Sequence, residues 1–144
     1  LTTSCTDALE MAALLLDIKH GDEVILPSFT FVSTANAFVL RGAKLIFADS
    51  DIDNPNISVN EIERLITPRT RAIVVVHYAG VACNMAPILK LAEQYGTVVV
   101  EDAAQALGSK FKGKHAGTFG QAAAISFFPA KVLGCLGDGR NHLG

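Results

Sequence analysis

Two side chains of opposite charge follow short apolar runs and could share one site. Asp102 follows the run at 97–101, and Lys131 lies a few residues beyond the run at 122–125. Short apolar runs of this kind are typical of buried parallel strands, and ligands bind outside the carboxyl ends of such strands. We therefore expect four polar side chains to converge on one crevice: Asp102, Gln105, Ser126 and Lys131.

Lys131 and Asp102 are the pair of groups that pyridoxal phosphate needs. A lysine amine in a partly apolar pocket can form a Schiff base with an aldehyde. A carboxylate opposite a pyridine nitrogen keeps that nitrogen protonated, so that the ring can accept electrons. The spacing alone also fits a solvated Lys131 and an Asp102 that only caps a turn, so the surrounding motifs must decide.

Five apolar runs, separated by helical or loop connections, predict a mostly parallel α/β sheet. The runs lie near residues 23–27, 44–48, 72–76, 97–101 and 122–126. The run at 72–76 is the most apolar, so we expect it to be the central strand. Asp102, His77 and Ser126 should then lie at the carboxyl edge, with His77 in a structural rather than a catalytic role.

Local signals predict where the helices begin and end. Three capping signals predict helix starts: Ser4 with Asp7, Ser58 with Glu61, and Asn84 with Pro87. Gly21 is predicted to be the residue just after the end of the first helix, where a left-handed backbone conformation is typical. Because this helix is also apolar on its second face, we expect it to be buried all round. The residues of that face are Met11, Leu14 and Leu15.

Size and composition limit the classes of protein. A chain of 144 residues, half of them apolar, holds at most one domain and can bury a core. Its net charge is −2 and it has no basic cluster, which argues against nucleic acid and anionic membranes as partners. No apolar run reaches the roughly 18 residues of a membrane span. From the first residues we expect no signal peptide.

The cysteines and the acidic loop predict no metal site. Cys5, Cys83 and Cys135 are widely spaced without a ligand pattern, which suits a reducing cytoplasm, and the last two are expected to be buried, inert thiols. The acidic stretch at 50–56 lacks a calcium-loop pattern and is interpreted as a surface loop.

A dinucleotide-binding fold is the nearest alternative, but no G-x-G-x-x-G motif follows the first strand. Gly137 and Gly139 could begin such a motif, but His142 stands where its third glycine would be.

Several motifs occur together in the order found in one enzyme family. They are PSFTFVSTANA at 27–37, HYAG at 77–80, EDAAQ at 101–105, GTFG at 117–120 and SFFPAK at 126–131. Together they resemble the sugar aminotransferases of the DegT/DnrJ/EryC1/StrS family, and the resemblance extends from about Thr3 to Gly139. It implies that residues 1–144 are a cofactor-binding fragment of the large domain of a fold type I, pyridoxal-phosphate-dependent aminotransferase, with helices on both faces of the sheet.

The resemblance also implies a role for each candidate residue. Lys131 would hold the cofactor covalently and move a proton, Asp102 would pair with the ring nitrogen, and Gln105 would lie beside the ring or its phenolic oxygen. Phe31 would stack on the ring, although the residue type alone also fits a core phenylalanine at a helix start. The phosphate would be held by the backbone N–H groups of Cys5 and Thr6 and by two hydroxyls, those of Thr6 and Ser126. Cys5 stands where many relatives have glycine.

The implied reaction transfers an amino group from L-glutamate to a nucleotide-linked keto sugar. The motifs most resemble the branch that aminates TDP-4-oxo-6-deoxy-D-glucose at carbon 4, for enterobacterial common antigen and related polysaccharides. One alternative is a 3-aminotransferase of the same family. Another is a family dehydratase, but those enzymes carry histidine where this chain has Lys131. The third is a catalytically silent fragment.

The resemblance implies a longer, dimeric enzyme. Family members carry an N-terminal segment and a C-terminal domain in addition to the part matched here, and they form homodimers in which the partner subunit completes the site. They also continue G-D-G-G-A-V-x-T where this chain reads GDGRNHLG at 137–144. We expect a truncation or a frameshift to account for that difference, with catalysis depending on the missing parts.

Overall fold

The computed structural model describes residues 1–134, and a five-stranded parallel sheet organises them. In chain order the strands are β1 (Glu23–Pro27), β2 (Lys44–Ala48), β3 (Thr70–Val76), β4 (Val98–Asp102), β5 (Lys110–Phe111), β6 (Lys114–His115) and β7 (Ala122–Ala124). The sheet order is β2-β1-β3-β4-β7, and every neighbouring pair is parallel. Strands β5 and β6 form a separate antiparallel hairpin. The α/β fold and the central position of β3 are thereby confirmed.

Four helices cover the two faces of the sheet. Helices α1 (Cys5–Leu15) and α2 (Val32–Val39) pack on one face, and α3 (Val59–Leu65) and α4 (Met85–Tyr95) pack on the other. The alternation along β1 explains the two cores, since Val24 and Leu26 face the first helix pair and Ile25 faces the second. A short 3₁₀ turn, Tyr78–Gly80, follows β3.

The predicted strands differ from the observed ones only at their ends. Strand β3 begins two residues earlier than the predicted run, at Thr70, and β4 is displaced by one residue to Val98–Asp102. Strand β7 ends at Ala124 rather than near residue 126. It pairs with β4 over three residues, from Val100 to Asp102, and the chain leaves the sheet once β4 has ended.

The three predicted helix starts are confirmed, whereas the predicted end of the first helix at Gly21 was wrong. Ser4 caps α1, because its side-chain oxygen accepts the N–H of Asp7 at 3.1 Å. Ser58 and Asn84 precede α3 and α4 but make no side-chain capping bond. Gly21 does not end α1, which stops at Leu15 because the chain reverses at Asp17 (φ 53°) and returns the buried Ile18 to the sheet.

Helix α1 is buried on one side only, so the prediction of all-round burial was wrong. Leu9 and Ala13 lie in the core, whereas the second apolar face is exposed by 48% at Met11, 55% at Leu14 and 77% at Leu15. Within residues 1–134, α1 packs against α2 and β7, which reach only its inner face. No helix in this part of the chain is long and apolar enough to cross a membrane.

Candidate active site

The carboxyl ends of three strands meet on one side of a cavity of about 390 Å³. Asp102 is the last residue of β4, His77 follows β3 directly, and Ser126 lies two residues beyond β7. They share this edge because all the strands of the sheet are parallel. The N-terminus of α1 also lines the cavity.

All seven candidate residues from the sequence line this one cavity: Cys5, Thr6, Phe31, Asp102, Gln105, Ser126 and Lys131. His77 does not line it. Further lining residues, which the sequence analysis did not single out, include Ser33, Thr30 and Tyr78. The cavity is therefore built from five separate parts of the chain, namely the start of α1, the start of α2 with the residues before it, and the ends of β3, β4 and β7.

Asp102 is held by hydrogen bonds on both carboxylate oxygens. Oδ1 accepts the backbone N–H of Ala104 at 3.1 Å, and Oδ2 accepts the hydroxyl of Thr34 at 2.7 Å. Asp102 is 5% exposed and Thr34 is fully buried. The sequence analysis missed Thr34, because its position in the first turn of α2 carries no signal that it contacts a residue 68 positions away.

The amide of Gln105 has one defined orientation. Its Oε1 accepts the backbone N–H of Ala79 at 2.7 Å, so its NH₂ group remains available to donate within the cavity. This bond holds Ala79 in the left-handed region (φ 50°), which is unusual for a residue with a side chain. Gln105 thereby presents a donor, which suits a phenolic oxygen on a bound ring.

The N-terminus of α1 provides the donors of an anion site. The N–H groups of Cys5 and Thr6 belong to the first turn, where no intrahelical acceptor exists. The Thr6 hydroxyl donates to Ser33 Oγ at 2.9 Å, so the proton of the Ser33 hydroxyl is free for an acceptor in the cavity. Ser33 therefore joins the predicted donors Thr6 and Ser126 at this end of the site.

Ser126 and Lys131 are placed by a tight turn after β7. Ser126 Oγ accepts the N–H of Phe128 at 3.3 Å, which leaves its own proton for another acceptor, and Lys131 N–H donates to the carbonyl of Phe128 at 2.8 Å. A Cβ atom at Gly134 would lie 2.3 Å from the carbonyl oxygen of Pro129. The turn that carries Lys131 into the cavity wall therefore requires glycine at this position.

Phe31 is not a core residue. It is 73% exposed, it lines the cavity, and it is the residue immediately before α2. Within residues 1–134, Phe31 is therefore not part of the buried core. The ring of Tyr78, another lining residue, lies 4.6 Å from the ring of Phe29 between centroids.

A buried carboxylate supports the site from behind. Glu101 accepts the N–H groups of Gly117, Phe119 and Gly120 at 2.6–2.7 Å and pairs with His77 Nε2 at 2.9 Å. His77 Nδ1 accepts the N–H of Cys83, so the ring proton is on Nε2 and the imidazole is neutral and structural. Burial alone would raise the pKa of Glu101, but these hydrogen bonds outweigh it and lower the pKa.

The thiol of Cys5 is held in its protonated form. Burial first, and the nearby Asp102 carboxylate second, raise the pKa of Cys5 to about 12, while Lys131 acts in the opposite direction. Burial raises the pKa of Cys83 to about 12 as well. Cys83 is buried, as predicted, whereas Cys135 and residues 137–144 lie outside the described part of the chain. Among residues 1–134, no group of three His, Cys, Asp or Glu side chains could hold a metal ion.

The donor set fits pyridoxal phosphate. The helix N-terminus with its hydroxyls suits the phosphate, the Asp102 carboxylate suits a protonated ring nitrogen, and the Gln105 amide suits a phenolic oxygen. Lys131 supplies the amine and Phe31 an exposed apolar face. A cavity of this volume lies within the range of small-ligand sites.

Comparisons with known proteins agree with these features. The model of the DegT/DnrJ/EryC1/StrS aminotransferase family matches residues 1–140. The UDP-N-acetyl-3-dehydro-alpha-D-glucosamine 3-aminotransferase of Acidithiobacillus ferrooxidans is 46% identical over 136 residues, which are 94% of this chain and 37% of that protein. The GDP-perosamine synthase of Escherichia coli O157:H7 is 46% identical over 128 residues, 89% of this chain and 35% of that protein. The solved PLP form of Spr1654 from Streptococcus pneumoniae has a TM-score of 0.86 at 28% identity, covering 90% of this chain and 37% of that one.

The chain spans little more than a third of the length of each of these relatives. The family match nevertheless includes every residue that lines the cavity, since all of them lie within residues 1–140. The parallel sheet and its helices are those of fold type I aminotransferases. The chain therefore belongs to the DegT/DnrJ/EryC1/StrS aminotransferase family, whose cofactor is pyridoxal phosphate.

Proposed function

We propose that the full-length gene product transfers an amino group from L-glutamate to a nucleotide-linked keto sugar. The observation that carries the proposal is that Lys131 and Asp102 line the same cavity, with the N-terminus of α1 at its side. This gives one ligand an amine, a carboxylate and an anion site within one enclosure. Relatives at 46% identity carry the names of a 3-aminotransferase and a GDP-perosamine synthase, which supports a nucleotide-sugar substrate.

The candidate residues and Ser33 each have a binding role in this proposal. Asp102 accepts a hydrogen bond from the protonated ring nitrogen, the Gln105 NH₂ group donates to the phenolic oxygen, and Phe31 covers one face of the ring. The phosphate takes the remaining donors, which are the N–H groups of Cys5 and Thr6 and the hydroxyls of Thr6, Ser33 and Ser126. In the structure the Thr6 hydroxyl donates to Ser33 Oγ. Either of these two hydroxyls can supply the proton of a hydrogen bond to the phosphate.

Lys131 acts both as the attachment point and as the proton carrier. When bound, pyridoxal phosphate supplies a ring that stabilises negative charge on the carbon undergoing proton loss. Lys131 would hold the cofactor through its Nζ amine. When not engaged in holding the cofactor, the same amine would carry the proton that leaves Cα of the amino acid. Asp102 is fixed by Thr34 and Ala104 and therefore holds the ring nitrogen without needing to reorient.

The identity of the acceptor sugar is a further part of the proposal. We propose a dTDP-linked 4-keto-6-deoxyglucose as the acceptor, in the biosynthesis of a surface polysaccharide such as enterobacterial common antigen. A 3-keto sugar is the alternative, favoured by the relative that is named a 3-aminotransferase. Product analysis with both keto sugars separates them, since the amino group appears on a different carbon. We further propose a homodimer located in the cytoplasm.

Covalent labelling at Lys131 tests the proposal. Pyridoxal phosphate is added to the full-length gene product, borohydride is used to trap it, and peptide mapping locates the label. We expect the label on Lys131 and its loss in Lys131→Ala, with transamination slower by at least about 10²–10⁴-fold, the contribution of a positioned proton carrier. Asp102→Asn should keep the label but slow the reaction, because the ring nitrogen loses its carboxylate.

Lys112→Ala is the matched control for this experiment. Lys112 lies in the turn of the β5–β6 hairpin and is not part of the cavity wall, so its removal should leave labelling and rate unchanged. Labelling of Lys110, Lys112 or Lys114 while Lys131 remains unmodified would overturn the assignment. So would full activity in Lys131→Ala.

A further inference from the structure

Thr34 contacts the proposed site from a position outside its wall. It lies in the first turn of α2, it is fully buried, and it is absent from the cavity lining although Thr30 and Ser33 are present there. Its Oγ1 lies 2.7 Å from Asp102 Oδ2. Any influence of Thr34 on a ligand must therefore act through Asp102.

The donors and acceptors available to each group determine the direction of the hydrogen bond between Thr34 and Asp102. With Asp102 as a carboxylate, its oxygens can only accept, so the single hydroxyl proton of Thr34 is on the side of Asp102. Thr34 Oγ1 also lies 2.8 Å from Thr30 Oγ1, in a bond that either hydroxyl could donate. Because the Thr34 proton is already used, Thr30 is the donor. The order is then Thr30 to Thr34 to Asp102.

This arrangement restricts the orientation of the carboxylate. The last side-chain torsion of aspartate is broad, so packing alone leaves the carboxylate plane poorly defined. Two donors from different parts of the chain define it here, Thr34 on Oδ2 and Ala104 N–H on Oδ1. Asp102 still lines the cavity, so its remaining accepting capacity is available to a ligand.

We propose that Thr34 is a positioning residue for Asp102: its hydroxyl, backed by that of Thr30, sets the carboxylate plane so that Asp102 meets the ring nitrogen of the cofactor. The inference rests on the proposed function, in which Asp102 pairs with that nitrogen. If Thr34 acts in this way, its effect on ligand binding depends on the ring nitrogen. A hydroxyl with only a structural role would show no such dependence.

The test compares two ligands that differ at that atom. Binding constants of the full-length apoprotein are measured for pyridoxal phosphate and for its 1-deaza analogue, in which a C–H group replaces the ring nitrogen. Thr34→Val keeps the branched shape but removes the hydroxyl, and Thr34→Ser keeps the hydroxyl. We expect Thr34→Val to weaken pyridoxal phosphate by about 10- to 100-fold, the usual effect of losing a hydrogen bond to a charged group. Binding of the deaza analogue should change little, and Thr34→Ser should resemble wild type.

Thr97→Val is the matched control. The Thr97 hydroxyl is buried and has no hydrogen-bond partner within residues 1–134, and it lies outside the cavity wall. The same substitution there removes a buried hydroxyl without touching Asp102, so binding of both ligands should remain as in wild type. If Thr34→Val does not fold, Thr34→Ala and Thr34→Ser give the same comparison.

The outcomes separate the inference from the proposal on which it rests. If wild type binds both ligands equally, the proposed role of Asp102 fails. If wild type prefers pyridoxal phosphate but Thr34→Val weakens both ligands equally, or neither, only the role of Thr34 is overturned. A Thr34→Ser variant as weak as Thr34→Val would also overturn it, because the hydroxyl would then not be the active feature.

Discussion

At the scale of single residues, Cys5 illustrates how the site changes the chemistry of a side chain. It stands in the first turn of α1, where a thiolate would be favoured by the helix N-terminus. Burial and the Asp102 carboxylate act more strongly in the opposite direction and raise the pKa of Cys5 to about 12. Cys5 therefore contributes its backbone N–H and the shape of its side chain rather than a nucleophile.

Slow alkylation of Cys5 is the corresponding prediction. A raised pKa means less thiolate at a given pH, so at pH 8 Cys5 should react with iodoacetamide about 10³-fold more slowly than an ordinary thiol. Mass spectrometry of the peptide that contains Cys5 gives the rate, and the same protein in urea is the control. Asp102→Asn should speed the reaction, since it removes the second cause of the raised pKa. A rate equal to that in urea would contradict the prediction.

At the scale of elements, β4 presents two adjacent carboxylates to different environments. Asp102 lines the cavity, whereas Glu101 points away from it and gathers three backbone N–H groups and His77. The contacts of Glu101 join β4, the end of β3 and the segment 117–120. A Cβ atom at Gly120 would lie 2.4 Å from the carbonyl oxygen of Val99, which explains the glycine in this closely packed segment.

Glu101→Gln should therefore destabilise the domain. In the glutamine side chain, an NH₂ group replaces one carboxylate oxygen and would face the N–H groups that this oxygen now accepts. Those buried N–H groups would then be left without an acceptor. We expect a loss of about 2–4 kcal/mol in the free energy of unfolding, measured by urea denaturation. Glu61→Gln, which removes a surface partner of Arg64, is the control and should change little. Equal stability of the two variants would contradict the prediction.

At the scale of the whole molecule, the two edges of the sheet serve different purposes. The cavity lies at the carboxyl edge, and an ion-pair cluster around the buried Glu23 carboxylate lies at the amino edge, where β1 begins. Glu23 accepts hydrogen bonds from Thr67 at 2.6 Å and Arg69 at 2.8 Å and pairs with Lys44 at 3.3 Å. The hydrogen bonds from Thr67 and Arg69 lower the pKa of Glu23 to about 2.

This lowered pKa predicts the dependence of stability on pH. The unfolded chain takes up a proton at Glu23 near pH 4.5, whereas the folded chain does so only near pH 2. The stabilisation is therefore complete at neutral pH and is lost as the pH falls from about 5 to about 2. Glu23→Gln should lower the free energy of unfolding at pH 7 by about 1–3 kcal/mol.

The difference between wild type and Glu23→Gln should narrow through the same pH range. Urea denaturation from pH 7 to pH 3 measures it. Glu63→Gln removes an equal charge from an exposed site in α3 and is the matched control. A constant difference between wild type and Glu23→Gln across the pH range would show that the carboxylate does not act through its lowered pKa.

The sheet and the residues around the cavity could be predicted from the amino-acid sequence. Apolar β-branched runs such as 72–76 are local signals of buried strands, and the strands appeared within two residues of the predicted places. Because parallel strands align their carboxyl ends, the motifs that follow them had to meet. Asp102, Gln105, Ser126 and Lys131 accordingly line one cavity. The roles of these residues toward a cofactor remain predictions.

The contacts that support these residues, and the helix faces that become buried, could not be predicted from the sequence because they depend on how the elements pack. The bond from Thr34 to Asp102 and the bonds of Glu101 to residues 117–120 join positions far apart in the chain, and no local pattern encodes them. Met11, Leu14 and Leu15 are apolar, yet they are exposed because the described neighbours of α1 reach only its inner face. Ser58 directly precedes α3, as predicted, but its side chain makes no capping hydrogen bond. Hydrogen bonds and burial depend on what packing brings together, whereas periodicity reports only on the element itself.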